Sequence, residues 1–231
     1  MIGAQATSSE CRRLVLWRHG RTEWNLVGRA QGHANVPLDE VGLAQAQRAA
    51  ELLATYEPVF VWSSDLMRAR QTAETLTALT GHEVVLDRRL REYDVGVRQG
   101  MTNVEFREAH PEVFARYLSG EDLNIPGQEL LADVQARMLS VLEEATKAVG
   151  DGETGVIVGH GAALRTGILS FFGVIEDVAT PAGRRAEMLA GLANCAWAVL
   201  EEHPQYGWQI VDYNARNLPE PVSLEDSPLA R

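Results

Sequence analysis

The chain has 231 residues, of which 45% are hydrophobic and 23% charged, and its formal net charge at pH 7 is −11. This length suits one large domain or two small ones, and the composition is that of an ordinary globular protein. The acidic balance argues against nucleic-acid or anionic-membrane partners, so a small anionic substrate would need a local positive site. No apolar stretch is long enough to span a bilayer, and residues 1–10 lack the pattern of a signal peptide. We therefore expect a cytoplasmic protein.

The cysteine and histidine content predicts neither a disulfide framework nor a metal site. Cys11 and Cys195 are too few for the former and match no metal spacing, so both are expected to be unpaired thiols in the core. The six histidines form no ligand motif. We predict no metal and no cofactor.

Hydrophobic periodicity predicts an alternation of strands and helices. Apolar runs indicate strands at 14–17, 59–62, 83–86, 156–158, 196–200 and 208–211. Helical spacing indicates helices near 43–53, 66–76, 102–109, 111–118, 131–149 and 161–172, the second of them capped by oxygens of Ser63, Ser64 and Asp65. This alternation is typical of a three-layer α/β/α sandwich with a mostly parallel sheet and the last two strands as a hairpin at one edge.

Residues 1–231 are predicted to form a single domain, because no repeat or linker divides the chain. Segments 1–11 and 219–231 are expected to be flexible tails. Segments 93–127 and 174–193 have little strand character, and long insertions of this kind in an α/β domain often serve as lids or substrate-binding elements. We interpret both as caps over a site.

Four polar blocks follow a strand or open a helix. They are Arg18-His19-Gly20 with Asn25, the stretch 63–73 with Arg68, the stretch 90–96 with Glu92, and Gly159-His160-Gly161. Ligands of open α/β sheets bind at the carboxyl ends of the strands, and arginine offers a planar fork of donors that matches phosphate. Taken singly, His160 could be a capping group, Arg68 an exposed helical residue and Glu92 a solvated loop carboxylate. Arg91 and Asp94 are interpreted as surface charges.

In this order the four blocks resemble those of the histidine phosphatase superfamily, which has the phosphoglycerate-mutase-like fold. The resemblance implies that His19 is the nucleophile, forming a phosphohistidine, and that Glu92 is the general acid for the leaving group. It implies a phosphate clamp of Arg18 and Arg68, with further contacts from Asn25, His160 and Gly161. Gln31 and Gly32 match the family's substrate-contacting positions.

Two positions depart from the family pattern. Arg21 stands where Glu or Gln is common, which changes the charge expected at the pocket mouth. Gly127-Gln128-Glu129 replaces a Gly-Glu-Ser block, which leaves a polar contact there open. The stretch 93–100 also lacks the pattern of true phosphoglycerate mutases.

We predict a metal-independent phosphatase of the histidine acid type, which hydrolyses a small phosphorylated metabolite. Stretches 194–197 and 212–215 resemble actinobacterial phosphatases of this superfamily, including the type that acts on glucosyl-3-phosphoglycerate. Two alternatives stay open: a bisphosphoglycerate-dependent phosphoglycerate mutase with the same nucleophile, and a non-catalytic binding module of the same fold. Exposed apolar faces would allow a homodimer.

Overall fold

The computed structural model describes residues 11–119, 125–174 and 189–217. Residues 1–10 and 219–231 of the predicted tails, residues 120–124 of the first predicted cap and residues 175–188 of the second lie outside the described residues. Cys11, which we assigned to the first tail, is buried, so that tail was predicted one residue too long. Cys11 and Cys195 are both buried, as expected, and neither forms a disulfide within the described residues.

The described strands form one six-stranded sheet. They are β1 (Arg13–Arg18), β2 (Phe60–Ser63), β3 (Val84–Leu86), β4 (Thr154–Gly159), β5 (Trp197–His203) and β6 (Gly207–Ala215), in the order β3-β2-β4-β1-β5-β6. Neighbours from β3 to β1 are parallel, whereas β5 pairs antiparallel with both β1 and β6. The mostly parallel sheet with a hairpin at one edge is confirmed.

Seven α-helices surround this sheet in the described part of the chain. They are α1 (Glu23–Leu26), α2 (Glu40–Ala54), α3 (Met67–Thr80), α4 (Asn103–Ala109), α5 (Pro111–Ser119), α6 (Leu131–Ala148) and α7 (Gly161–Phe171). The first predicted cap thus contains α4 and α5. The sequence analysis missed α1, because this single turn is held by reciprocal capping between Thr22 and Asn25 and has no buried residue.

The predicted cap of α3 is wrong. The N-cap residue is Leu66, which offers no side-chain hydrogen bond. The Ser64 hydroxyl instead contacts His160, and the Asp65 carboxylate pairs with Arg91. The oxygens that sequence spacing assigned to a helix end therefore serve the loops around the candidate site.

Strand β1 lies between the two helical layers and packs against both. Leu14 and Leu16 belong to the core shared with α6 and α7, whereas Val15 and Trp17 belong to the core shared with α2 and α3. All four side chains are fully buried. Burying each contributes roughly 1.5–3 kcal/mol, so β1 is a rigid base for the residues that follow it.

The carboxyl ends of β2, β4 and β1 meet at one edge of the sheet. Arg18 pairs with Gly159, and Ser63 pairs with Val158. One residue further on, the His19 N–H donates to the Gly159 carbonyl at 3.0 Å. Side chains that follow these three strands are therefore brought together.

The loop after β1 touches α2 backbone to backbone. A Cβ atom on Gly20 would lie 2.4 Å from the Gly42 carbonyl oxygen, and one on Gly42 would lie 1.9 Å from the Arg21 carbonyl oxygen. Neither glycine has a positive φ, so each is required for space and not for conformation. The glycine of the Arg-His-Gly block thus lets α2 press against the loop.

Gly42→Ala should lower the free energy of unfolding by about 1–3 kcal/mol, because its methyl group would displace the loop backbone. In an open helix position the same change would stabilise by roughly 0.5–1 kcal/mol. Urea denaturation measures the difference. Glu51→Ala on the exposed face of α2 is the control and should stay within about 0.5 kcal/mol of the wild type. Stability of Gly42→Ala at or above the wild-type value would contradict this close approach.

Candidate active site

His19 follows β1 and is almost fully buried, with 3% of the residue exposed. Its Nδ1 lies 2.7 Å from the Gly20 carbonyl oxygen. Because a carbonyl can only accept, Nδ1 carries the proton and Nε2 carries the lone pair. The fixed acceptor that sets the tautomer is therefore the next main-chain carbonyl, and Nε2 is the nitrogen that carries a lone pair.

Arg68 lies in the first turn of α3 and is 1% exposed, so the alternative that it is an ordinary exposed helical residue is wrong. Its Nε donates to His19 Nε2 at 3.3 Å and to His160 Nδ1 at 3.2 Å. Its two Nη atoms donate to the carbonyls of Ala34 at 2.8 Å and Gly32 at 2.9 Å. All four acceptors are neutral. Among the described residues, no carboxylate contacts this buried guanidinium.

His160 directly precedes α7 and is fully buried. Its ring centroid is 5.1 Å from that of His19. Since Nδ1 accepts from Arg68, the proton lies on Nε2, which donates to the Ser64 hydroxyl at 2.9 Å. Both ring nitrogens are thus occupied, and donation to a phosphoryl oxygen would require one of them to change partner.

Burial keeps both imidazoles neutral. Burial, reinforced by the nearby charges of Arg68 and Arg18, lowers the pKa of His19 well below 6.5. Burial and Arg68 lower the pKa of His160 in the same way. Burial also lowers the pKa of Arg68, to about 10, which leaves it charged at neutral pH. The site therefore combines two neutral imidazoles with a buried positive charge.

Arg18 and Gly161 lie against each other beside His19. Arg18 is 9% exposed, and its Nη1 donates to the Leu192 carbonyl at 2.5 Å. A Cβ atom on Gly161 would lie 3.2 Å from Arg18 Nε. The absence of a side chain at this position therefore admits the second guanidinium to the site.

Asn25 is oriented by its neighbours. Its Oδ1 accepts from the Thr22 N–H at 3.1 Å and from Asn194 Nδ2 at 3.2 Å. Asn194 is fully buried, and its Nδ2 also donates to the His19 carbonyl at 3.2 Å. Because its oxygen is occupied, Asn25 keeps its amide nitrogen as a donor. The sequence analysis gave Asn194 no role in the site.

Gln31 and Gly32 lie at the Arg68 end of the site. Gly32 has φ +49°, and a Cβ atom there would lie 2.7 Å from Val95 Cγ2, so space and conformation both favour glycine. Its carbonyl holds Arg68. The Oε1 atom of Gln31 is buried without a hydrogen-bond partner in the part of the chain that the structure describes.

Glu92 is anchored at the N-terminus of α7. Its Oε1 accepts from the N–H groups of Tyr93 at 3.0 Å and Ala163 at 2.9 Å, and its Oε2 accepts from that of Ala162 at 3.2 Å. First-turn N–H groups have no acceptor within their helix, and the positive end of the helix dipole favours a carboxylate. Glu92 is therefore a fixed group, not a solvated loop carboxylate.

Arg137 of α6, which the sequence analysis did not single out, holds the segment that carries Glu92. It donates to the carbonyls of Arg89 and Arg91, both at 2.6 Å, and of Glu92 at 3.1 Å. It also forms an ion pair with Glu129 at 2.7 Å. Glu129 thus supplies the polar contact left open at 127–129. In the sequence, Arg137 could have been noticed as an arginine next to the apolar face of the predicted helix.

Two further ion pairs flank the site. Arg91, which we interpreted as a surface charge, donates to both carboxylate oxygens of Asp65 at 2.6 Å, and its side chain is 22% exposed. Arg21 pairs with Asp39 at 2.8 Å, which compensates the extra positive charge expected at the mouth. The Asp94 side chain is 45% exposed, in keeping with a surface charge.

The described residues contain neither a metal-ligand cluster nor a helix that could cross a membrane. No group of three or more His, Cys, Asp or Glu side chains in that part of the chain could hold a metal ion. None of its helices combines the length and apolar character needed to cross a membrane.

Anion binding should stabilise the protein through Arg68. Phosphate at about a hundred times its Kd should raise the free energy of unfolding by about 2.7 kcal/mol and shift Tm accordingly. Arg68→Met should stay folded, since an apolar replacement for a buried ion is often tolerated, but it should lose this shift. Thermal unfolding with and without phosphate at constant ionic strength measures it. Arg70→Met, at an exposed position on the same helix, should keep the shift. A full shift in Arg68→Met would place the anion elsewhere.

Stability should fall as the pH drops below about 6.5. The folded-state pKa values of His19 and His160 are lowered, so the unfolded state binds more protons below that pH. Each group then removes up to about 1.4 kcal/mol per pH unit. Urea unfolding between about pH 5.5 and 7.5 measures the slope. His19→Gln should flatten it, and exposed His82→Gln should not. An unchanged slope in His19→Gln would contradict a lowered pKa.

Comparison with known proteins agrees with this geometry. The family model of the histidine phosphatase superfamily, branch 1, matches residues 14–216. A glucosyl-3-phosphoglycerate phosphatase of Mycolicibacterium vanbaalenii is 34% identical over 83% of this chain and 85% of its own length. A metal-independent phosphoserine phosphatase of Arabidopsis thaliana is 42% identical over 68% of this chain and 67% of its own.

A solved structure supports the same assignment. A mycobacterial glucosyl-3-phosphoglycerate phosphatase in complex with VO3 superimposes with a TM-score of 0.72 at 32% identity, covering 88% of this chain and 99% of that one. The predicted family, the phosphoglycerate-mutase-like sandwich and the reaction class, phosphomonoester hydrolysis, are thereby confirmed. The chain therefore belongs to the histidine phosphatase superfamily, branch 1.

Proposed function

We propose that this phosphatase acts on a small phosphorylated metabolite, without a metal ion, through a phosphohistidine at His19. The observation that carries the proposal is the state of the His19 imidazole. Its Nδ1 proton is held by the Gly20 carbonyl, and its Nε2 lone pair faces the buried Arg68 guanidinium. This arrangement offers a nucleophile beside a site for the phosphoryl group.

In the first step, His19 Nε2 attacks phosphorus, so that an N–P bond forms while the ester P–O bond breaks. Arg68 and Arg18 stabilise the charge on the equatorial phosphoryl oxygens, with Asn25, His160 and the first-turn N–H of Gly161 as further donors. Protonated Glu92 gives its proton to the leaving alkoxide.

In the second step, the Glu92 carboxylate removes a proton from water. The water oxygen attacks phosphorus and the N–P bond breaks, which releases inorganic phosphate and returns His19 to its neutral form. Glu92 is protonated again. Its anchorage on α7, the helix that His160 precedes, supports its action on the same phosphoryl group in both steps.

The substrate is proposed to be a phosphate ester of a small carboxylic acid. The two curated relatives are named for phosphoserine and glucosyl-3-phosphoglycerate, which both fit this description. Gln31 and Gly32 are the proposed contacts for its organic part.

The proposal extends to the location and assembly of the protein. Cys11 and Cys195 are buried and form no disulfide within the described residues, which suits a reducing compartment and supports the cytoplasm. The acidic charge supports a small-molecule substrate without nucleic-acid or membrane partners. Exposed Val85 and Val211 on the edge strands β3 and β6 would support a homodimer.

Phosphate release in the presence of EDTA tests the proposal. The purified protein is incubated with glucosyl-3-phosphoglycerate, 3-phosphoglycerate, phosphoserine and p-nitrophenyl phosphate. His19→Ala should lower the rate by at least about three orders of magnitude, because the covalent nucleophile is lost. His82→Ala, at an exposed position, is the matched control and should keep the wild-type rate. Appreciable activity in His19→Ala, or full dependence on added metal, would contradict the proposal.

The same assay separates the alternatives. Isomer exchange of 3-phosphoglycerate on adding bisphosphoglycerate, without phosphate release, would support the mutase. A folded protein that is inactive in both assays would support the non-catalytic binding module.

A further inference from the structure

Three consecutive residues connect the phosphate clamp with the general acid. The carbonyls of Gly32 and Ala34 accept from Arg68 at 2.9 and 2.8 Å. Between them, His33 Nε2 lies 2.8 Å from the main-chain oxygen of Glu92. Since that carbonyl can only accept, His33 Nε2 is the donor.

We infer that His33 is a positioning residue that fixes Glu92 relative to the Arg68 clamp. The inference rests on the proposed function, because it matters in the step in which Glu92 protonates the leaving group. Arg68 belongs to α3, whereas Glu92 follows β3 and binds α7. The segment 32–34 is a direct bridge between these two elements.

Proton transfer is sensitive to such a bridge. The acid must lie within hydrogen-bond reach of the leaving oxygen while the arginines hold the phosphoryl group. Misplacement by about 1 Å can lower a rate by roughly a hundredfold. A donor that ties the backbone of the acid to the loop that holds the clamp restricts that displacement.

His33 can be changed without removing the other supports of Glu92. Arg137 donates to the same carbonyl at 3.1 Å, and the α7 N–H groups hold the carboxylate. The His33 side chain is 30% exposed, and its Nδ1 is 3.7 Å from Asp94, beyond hydrogen-bond distance. Loss of the His33 donor should therefore shift the acid without unfolding the protein.

A purely structural role predicts a different pattern. If His33 only shaped the loop, its loss would disturb the Gly32 and Ala34 carbonyls and hence Arg68. Phosphate binding would then weaken for every ester, whatever its leaving group. A loss confined to esters that need protonation distinguishes positioning of the acid.

The test uses two substitutions and two esters. The amide nitrogen of Gln can lie near the position of the imidazole Nε2, whereas the shorter Asn side chain places its amide nitrogen only near the position of Nδ1. 3-Phosphoglycerate has an alkoxide leaving group that needs a proton from the acid. The nitrophenolate leaving group of p-nitrophenyl phosphate departs without one. The inhibition constant of inorganic phosphate reports on the clamp. Glu92→Gln sets the scale for complete loss of the acid, and His82→Asn is the exposed control.

His33→Asn should lower kcat/KM for 3-phosphoglycerate by about tenfold or more, within the range of general acid catalysis. Its kcat/KM for p-nitrophenyl phosphate and its inhibition by phosphate should stay within about threefold of the wild type, and His33→Gln should retain most activity on both esters.

Equal losses on both esters, no loss, or a His33→Gln variant as impaired as His33→Asn would overturn the inference alone. No phosphate release by the wild type would overturn the proposed function and this inference with it.

Discussion

The buried charge of Arg68 is the constraint on which the candidate site depends. Arg68 is 1% exposed, yet within the described residues its guanidinium donates only to two imidazoles and two main-chain carbonyls. Burial of an ion costs several kcal/mol, and neutral acceptors compensate for it only in part. In the proposed mechanism, a phosphoryl group supplies further negative charge. The two packed layers on either side of the sheet provide the stability that a buried charge requires.

Burial and the same charge determine the protonation state of His19. They keep His19 and His160 neutral, so His19 Nε2 retains a lone pair below the usual pKa of histidine, and this lone pair accepts from Arg68. The supports of Arg68 come from separate parts of the chain: the ends of β1 and β4 provide the imidazoles, and the 32–34 loop provides the carbonyls. The alignment of the parallel strand ends therefore brings these groups together.

The sequence predicted the strands and the blocks that follow them better than the side-chain hydrogen bonds around the site. Strands β1 and β4 are buried on both faces, so continuous apolar runs identify them, and the histidine blocks that follow mark their carboxyl ends. The hold of Arg137 and His33 on the Glu92 carbonyl could not be predicted, because side-chain bonds to main-chain oxygens depend on the path of a loop and not on periodicity. The cap of α3 failed for a related reason: Ser64 and Asp65 found partners distant in sequence.

Trapping of the phosphorylated enzyme tests His19 as the nucleophile most directly. A reaction with p-nitrophenyl phosphate in EDTA would be quenched within its first turnovers, and the modified residue mapped by mass spectrometry under conditions that preserve phosphoramidates. The geometry predicts one phosphoryl group, on His19 Nε2, since Nδ1 is held by the Gly20 carbonyl. A phosphoryl group on His160, or steady phosphate release without any phosphorylated histidine, would contradict the mechanism.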